Sequence, residues 1–309
     1  MDLLERVRAT GLLPEGGPVV VLLSGGRDSV ALLDCAARLG EATALHVNYG
    51  LRDGADADEA VCRGLCARLR VEFEVHRAQR PADAGNVQAW GREVRYAAAA
   101  ASAERRDALM AAGHTMTDQA ETVLYRLASS PSRRALLGMA PREGRLVRPL
   151  LGATREETAA HCVSRGLTWA DDPTNETDVY ARGRVRGGLV PALRAVHPAA
   201  ERNVLRAAQL LREEGAVLDE IVDTALAGRD HVALAHLRIL PPALGRLVLR
   251  RLAEEATGAL CPRAVSRFEE VLELTDDAML DLGDGARAVV RAGVLRFSRT
   301  PPLPAEVQH

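Results

Sequence analysis

Short apolar runs alternate with amphipathic stretches through the first half of the chain. Strands are predicted at 18–23, 43–48, 71–76, 107–112 and 146–150, each too short for a helix and bounded by polar or turn residues. Helices are predicted between them at 29–39, 54–69, 86–104 and 117–128, with another at 154–166. In the third, Val87, Trp90, Val94 and Ala97 form one stripe, with Arg92 and Arg95 turned away. In the fourth, Ala120, Val123, Leu124 and Leu127 make the apolar stripe, while Asp118, Glu121 and Tyr125 line the other side. Such alternation predicts an α/β fold, a parallel sheet covered on both faces.

The rest of the chain is organised differently. Residues 129–145 have no period and carry Pro, Gly and four arginines, which predicts a functional loop. Residues 171–191 are irregular, with Pro173, Gly183, Gly187, Gly188 and Pro191. A long helical pattern at about 199–227 reads as a connector. Two more helices follow, then alternating apolar residues from Met279 to Phe297 with a turn near Gly293, a small α+β appendage. The expected division is 1–195 catalytic domain, 196–230 helical connector, 231–300 small C-terminal domain and 301–309 tail.

Composition adds limits. Forty basic residues oppose 42 acidic ones, a net charge of −2, so any nucleic-acid contact must use a local patch. Every one of the basic residues is arginine, so each cationic contact is a planar fork suited to phosphate oxygens. The five cysteines (Cys35, Cys62, Cys66, Cys162, Cys261) are scattered, and Asp2, Glu5, Arg6 and Arg8 break up the N-terminus. The expectation is free thiols in a cytoplasmic protein with no secretory segment and no membrane span.

The strongest chemical signal is Ser24-Gly25-Gly26-Arg27-Asp28-Ser29, between the first strand and the first long helix. The glycine pair lets backbone approach a ligand closely, and the helix start presents N–H groups and a positive dipole end to an anion. Ser24 and Ser29 add hydroxyl donors, and Asp28 suits a hydrated Mg²⁺ beside phosphate oxygens. No Lys-Ser/Thr pair follows at Walker spacing. In open α/β sheets ligands bind outside the carboxyl ends of strands, which collects this loop, His46 to Arg52 and His114 in one region.

This loop resembles the SGGxDS pyrophosphate loop of ATP pyrophosphatases. Further motifs are similar to those of tRNA(Ile)-lysidine synthetases: His46-Val47-Asn48-Tyr49-Gly50-Leu51-Arg52 to HVNHGLR, Arg92 to Tyr96 to RxxRY, and Gly113 to Thr122 to GHHxDDQxET. Trp169 to Asn175 and Arg182 to Arg186 look like its WxxDPTN and RNxxR elements. The resemblance implies a Rossmann-like PP-loop fold and use of ATP with Mg²⁺. It also implies ligation of L-lysine to the wobble cytidine of a tRNA(Ile) with a CAU anticodon, through an adenylated cytidine. A tRNA thiolase and a non-catalytic tRNA-binding relative are the alternatives. A homodimer is an assembly that the residues themselves do not decide.

Site residues follow from both lines. Ser24, Gly25, Gly26, Arg27, Asp28, Ser29, His46 and Asn48 are expected to bind ATP; Asp28, His114, Asp118 and Glu121 to act in catalysis; and Asp28 with Asp118 to hold Mg²⁺. Arg133, Arg134, Arg182, Arg184 and Arg186 are expected to contact tRNA, the last three sharing a face if their segment is extended. Three positions depart from the family pattern: Thr115 for the second histidine, Thr117 for one acid of the pair, and Gly183 for asparagine. Thr117 is expected to serve as an N-cap.

Overall fold

A continuous apolar run can still serve two faces, because successive strand side chains point in opposite directions. In the computed structural model, which describes residues 2–51, 53–81, 85–130, 133–170 and 181–301, β1 (Pro18–Leu22) does this. Val19 and Val21 enter one core with Val30, Leu32 and Leu33, while Val20 and Leu22 enter another with Leu45, Ala99 and Ala103. The neighbouring strands are β2 (Glu41–Asn48), β3 (Glu72–Arg77), β4 (Leu109–Ala111), β5 (Arg142–Glu143) and β6 (Leu146–Val147). They form one sheet in the order β3-β2-β1-β4-β6-β5, parallel except for the β5–β6 hairpin. The chain winds outward from β1 to β3 and then returns to β1's other side at β4, so the switch point lies between β1 and β4.

Helices connect these strands: α1 (Leu3–Ala9), α2 (Arg27–Leu39), α3 (Ala55–Leu69), α4 (Val87–Arg105), α5 (Met116–Ser129) and α6 (Arg155–Ser164). Beyond them come α7 (Ala181–Arg184), a π-turn at Val185–Leu189, α8 (Val190–Val196) and α9 (Ala200–Leu226). The chain divides into two compact units within α9, at Gln209 and Leu210. The second contains β7 (His231–Ala233), α10 (Leu234–Ile239), α11 (Pro242–Thr257), α12 (Pro262–Ser266), α13 (Phe268–Leu272) and strands β8 (Met279–Gly283), β9 (Ala286–Arg291) and β10 (Val294–Arg299). Its antiparallel sheet, ordered β7-β10-β9-β8, buries Leu237, Leu249, Phe268, Val290 and Leu295 in a core of its own.

Several expectations shift. The strand expected at 107–112 is only Leu109–Ala111, because Asp107 takes φ 45° in a turn. That at 146–150 stops at Val147, since Pro149 has no N–H to give a ladder. The loop 129–145 contains a 3₁₀ turn at Arg133–Leu137 and strand β5. In α4 the buried residues are Ala99, Ser102 and Ala103 rather than the predicted stripe, and Ala97 is exposed; an all-alanine stretch carries no periodic signal to follow. In α5, Leu127 is exposed, while Thr117, Gln119 and Glu121 are buried. The first two turns of α5 are covered on nearly every side, partly because the Gln119 amide bonds both the N–H and the C=O of Met139.

Candidate active site at the carboxyl edge of the sheet

The loop after β1 is built from its own side chains. Ser29 Oγ donates to the Gly26 carbonyl at 2.8 Å, lies 3.1 Å from Ser24 Oγ, and accepts from Ser24 N–H. Gly25 adopts φ +85°, which L side chains rarely take, and Gly26 is the N-cap of α2 without a side-chain cap. The first N–H groups of α2 therefore face outward unpaired by any side-chain cap, as an anion site requires. Gly113, at the end of β4, abuts the loop: a Cβ there would lie 3.0 Å from the Asp28 carbonyl oxygen and 3.1 Å from Ser29 N. Ala170 N–H donates to the Gly25 carbonyl at 3.0 Å and secures the loop from a third side.

Around this cradle lies a charge network. Asp28 accepts from Thr158 Oγ1, with Arg27 Nε 3.5 Å and Arg155 Nε 3.8 Å from its carboxylate. Burial pushes its pKa above the usual carboxylate range against the pull of Thr158, and the nearby Asp118 charge adds to the rise. Asp118 accepts from Thr115 N–H (2.8 Å), Thr115 Oγ1 (2.9 Å) and Arg155 Nη2 (2.9 Å). Burial alone would raise its pKa, but Arg155 and the Thr115 N–H overcome it and hold Asp118 below its ordinary value. Glu121 is fully buried and forked by Arg186, Nε at 2.7 Å and Nη2 at 2.9 Å, with Arg155 Nη2 3.5 Å away.

These groups border a cavity of about 400 Å³ walled by Arg27, Arg155, Arg186, Arg194, Thr117 and Glu156, among others. Four guanidinium groups around one cavity make an oxyanion receptor. Thr117 Oγ1 is buried with no hydrogen-bond partner among the described residues, a donor left for a ligand.

The expected residues thus separate into groups. Ser24 to Ser29, Asp118 and Glu121 come together, and His114 lies close enough for its charge to act on Asp118. His46 is buried and bonds the Leu23 carbonyl through Nδ1 at 2.9 Å, bracing the start of the loop. Asn48 donates to Asp56 and Glu59 and accepts from Gly50 N–H, tying the turn between β2 and α3. Thr115, not Thr117, is the N-cap of α5. The segment 181–189 is helical, not extended, so the alternation that would align Arg184 with Arg186 is absent; Arg186 is drawn inward by buried Glu121, and the Arg182 side chain lies outside the described residues. Arg133 and Arg134 stand on the 3₁₀ turn, and Asp171 to Asn175 lie outside the described residues.

Arg155 and Thr158 were not expected. The Thr154–Glu157 capping box marks where α6 starts, which would have placed Arg155 in its first turn. Nothing in the pattern tells that this turn faces Asp118.

The comparisons with known proteins fall on the same residues. A family model described as a PP-loop domain matches residues 7–193. A tRNA(Ile)-lysidine synthase of Salinispora arenicola is 38% identical over 322 aligned positions, covering 96% of this chain and 95% of its own. The chain belongs to the tRNA(Ile)-lysidine synthase family of PP-loop proteins. Another member, from Salinispora tropica, is 38% identical and covers 92% of the chain and 91% of its own. Among solved structures, the U34-tRNA thiolase NcsA of Methanococcus maripaludis superposes with a TM-score of 0.59 at 18% identity, over 68% of this chain and 78% of that one, a likeness of fold.

Two cysteines pack behind the loop, Cys62 against Gly25 and Cys162 with its Sγ 3.7 Å from the Arg27 carbonyl. All five are buried free thiols, and burial pushes Cys35 and Cys62 up to about 12, and Cys66 and Cys162 up to about 11. Among the described residues no three His, Cys, Asp or Glu side chains gather to hold a metal, and no helix is long and apolar enough to cross a membrane.

Proposed function

We propose that this chain ligates L-lysine to C2 of the wobble cytidine of tRNA(Ile) bearing a CAU anticodon, consuming ATP and releasing AMP and pyrophosphate. The observation that carries the ATP half is the α2 N-terminus without a side-chain cap, opened by Gly25 and Gly26 and closed from behind by Gly113, beside an arginine-walled cavity. The names of the relatives support the RNA and amino-acid halves.

The chemistry answers a specific need. The C2 oxygen of cytosine is a poor leaving group. Its attack on the α-phosphorus of ATP expels pyrophosphate and leaves an adenylated cytidine. The lysine ε-amine then adds at C2, and AMP departs with the oxygen. The loop N–H groups and the Ser24 hydroxyl stabilise charge growing on the pyrophosphate, Ser29 holds the loop through the Gly26 carbonyl, and Arg27 adds a cation. Asp118 and Glu121 favour a cationic ammonium nearby. Thr115, a departure from the family pattern, holds Asp118 in place.

The residues fit Mg²⁺ at Asp28, a half-buried carboxylate in the first turn of α2 beside the arginine-walled cavity. Mg²⁺ usually takes one or two carboxylates and completes its shell with water and phosphate oxygens. Asp118 was expected as a second carboxylate, but Thr115 and Arg155 occupy its oxygens here, so Asp28 is the proposed ligand. When bound, the ion would neutralise charge on the departing pyrophosphate. Arg133, Arg134, Arg182 and Arg184 are the proposed tRNA contacts.

The test supplies tRNA(Ile) transcript and ATP with or without L-lysine, then digests the RNA for nucleoside mass analysis. Adenylated RNA without lysine, and a lysine-adduct cytidine with it, is the expected result. Absence of the adduct from a preparation that binds the transcript would overturn the reading.

A further inference from the structure

The carboxylates that would greet a cation are already served by one. Arg155 reaches Asp28, Asp118 and Glu121 from the first turn of α6, and its guanidinium also borders the cavity shared with Arg27, Arg186 and Arg194. Arg27 and Arg186 also join acids to this cavity, but among the described residues Arg155 is the cation that reaches all three carboxylates. Resting charges near the cluster balance: three carboxylates face Arg27, Arg155 and Arg186. The cavity wall adds Arg194, which is paired with Glu201, and the buried Thr117 hydroxyl, which has no partner among the described residues.

We propose that Arg155 is an exchange residue: phosphate oxygens entering the cavity draw its guanidinium off Asp118, and the vacated carboxylate then takes the ammonium group of the substrate amine. This rests on the nucleotide and lysine reading above and deepens it. A guanidinium fork binds phosphate oxygens as readily as a carboxylate, so the move trades one charge-assisted contact for another. Arg186 cannot make the same trade cheaply, because it would take the two-point fork away from fully buried Glu121. Once Arg155 leaves, Asp28 and Asp118 lose the cation between them; Arg186 Nη2 stays 3.6 Å from Asp118 but is held chiefly by Glu121, so a new cation is favoured. Nucleotide and amine thus bind with positive coupling, and coupling is reciprocal by linkage. The arrangement also keeps the amine pocket closed to lysine until a triphosphate is in place.

The experiment titrates L-lysine calorimetrically into the full chain, with equal Mg²⁺ in both arms, with and without saturating α,β-methylene-ATP, which cannot be cleaved at the reacting bond. Lysine affinity should rise at least about fivefold with the analogue, and the analogue should gain the same factor from lysine. In Arg155→Gln the lysine affinity without nucleotide should increase and the coupling should fall below about twofold. Unchanged lysine affinity despite bound analogue, or a full coupling factor in Arg155→Gln, would overturn the exchange while leaving the proposed reaction standing. Failure of the analogue to bind at all would overturn the nucleotide reading itself. Even if the variant does not fold, the unaltered chain keeps the claim open to refutation, because lysine affinity that ignores the analogue overturns it.

Discussion

Asp28 stands where stability and chemistry pull in opposite directions. Its folded pKa is raised, so the stability it contributes is complete below the ordinary carboxylate range and is lost as pH rises through the raised value. At neutral pH the ionised carboxylate is a cost, which the role proposed for it beside phosphate would explain. Asp28→Asn should therefore leave the thermal midpoint unchanged or higher, while AMP formation falls by about 100-fold or more. Calorimetry and an AMP assay on the same preparation check both halves; a lower midpoint would contradict the burial argument. Gly113 acts by absence. Gly113→Ala sets a methyl 3.0 Å from the Asp28 carbonyl oxygen, so the loop must shift. Nucleotide affinity should drop about tenfold, at a stability cost of about 1–3 kcal/mol, measured by analogue titration and urea denaturation. Glu121 and Arg186 are a different matter. Arg186→Met leaves a buried carboxylate without its fork, and should cost about 3–5 kcal/mol in denaturant melts.

At the scale of elements, the site depends on α2 and α6 lying side by side. His161 of α6 bonds buried Asp34 of α2 at 2.9 Å, and Arg165 approaches the same oxygen at 3.3 Å. Burial pushes Asp34 upward, yet the His161 bond and Arg165 prevail and its pKa is lowered. The sign is that of a depressed carboxylate: stability is present above the ordinary range and is lost as pH falls through the lowered value. Asp34→Asn should lower stability at neutral pH and flatten the acid limb of the stability–pH curve, as measured by urea melts from pH 7 to pH 3. Much of this layer was legible in the pattern. The β1–α2 turn, the parallel order and the α5 acids follow from apolar runs and spacing. Two things were not. The orientation of α6 toward Asp118 depends on packing between residues more than 100 positions apart, as in the Asp34–His161 bond. The 181–189 segment looks extended because it holds glycines and arginines, yet Glu121 draws Arg186 inward and it coils.

The whole chain carries 42 acidic and 40 basic residues, so its net charge gives RNA no general attraction. Binding must come from local arginines. Replacing Arg133 and Arg134 with alanine should weaken tRNA binding across sequences and reduce the slope of log affinity against log salt by about 1–2. An unchanged slope would remove them as phosphate contacts. The two compact units have separate cores, one around β1 and α2 and one around Leu249 and Val290. Such a chain should unfold in two calorimetric transitions, and only the one that follows the first unit should move upward with nucleotide.

The central claim is that the turn after β1 grips the two outer phosphates of a nucleotide split at its α position. Phosphorus NMR of ATP turnover in the presence of tRNA(Ile) tests it most directly. AMP and pyrophosphate should appear in equal amounts; ADP with inorganic phosphate as the products would contradict the account.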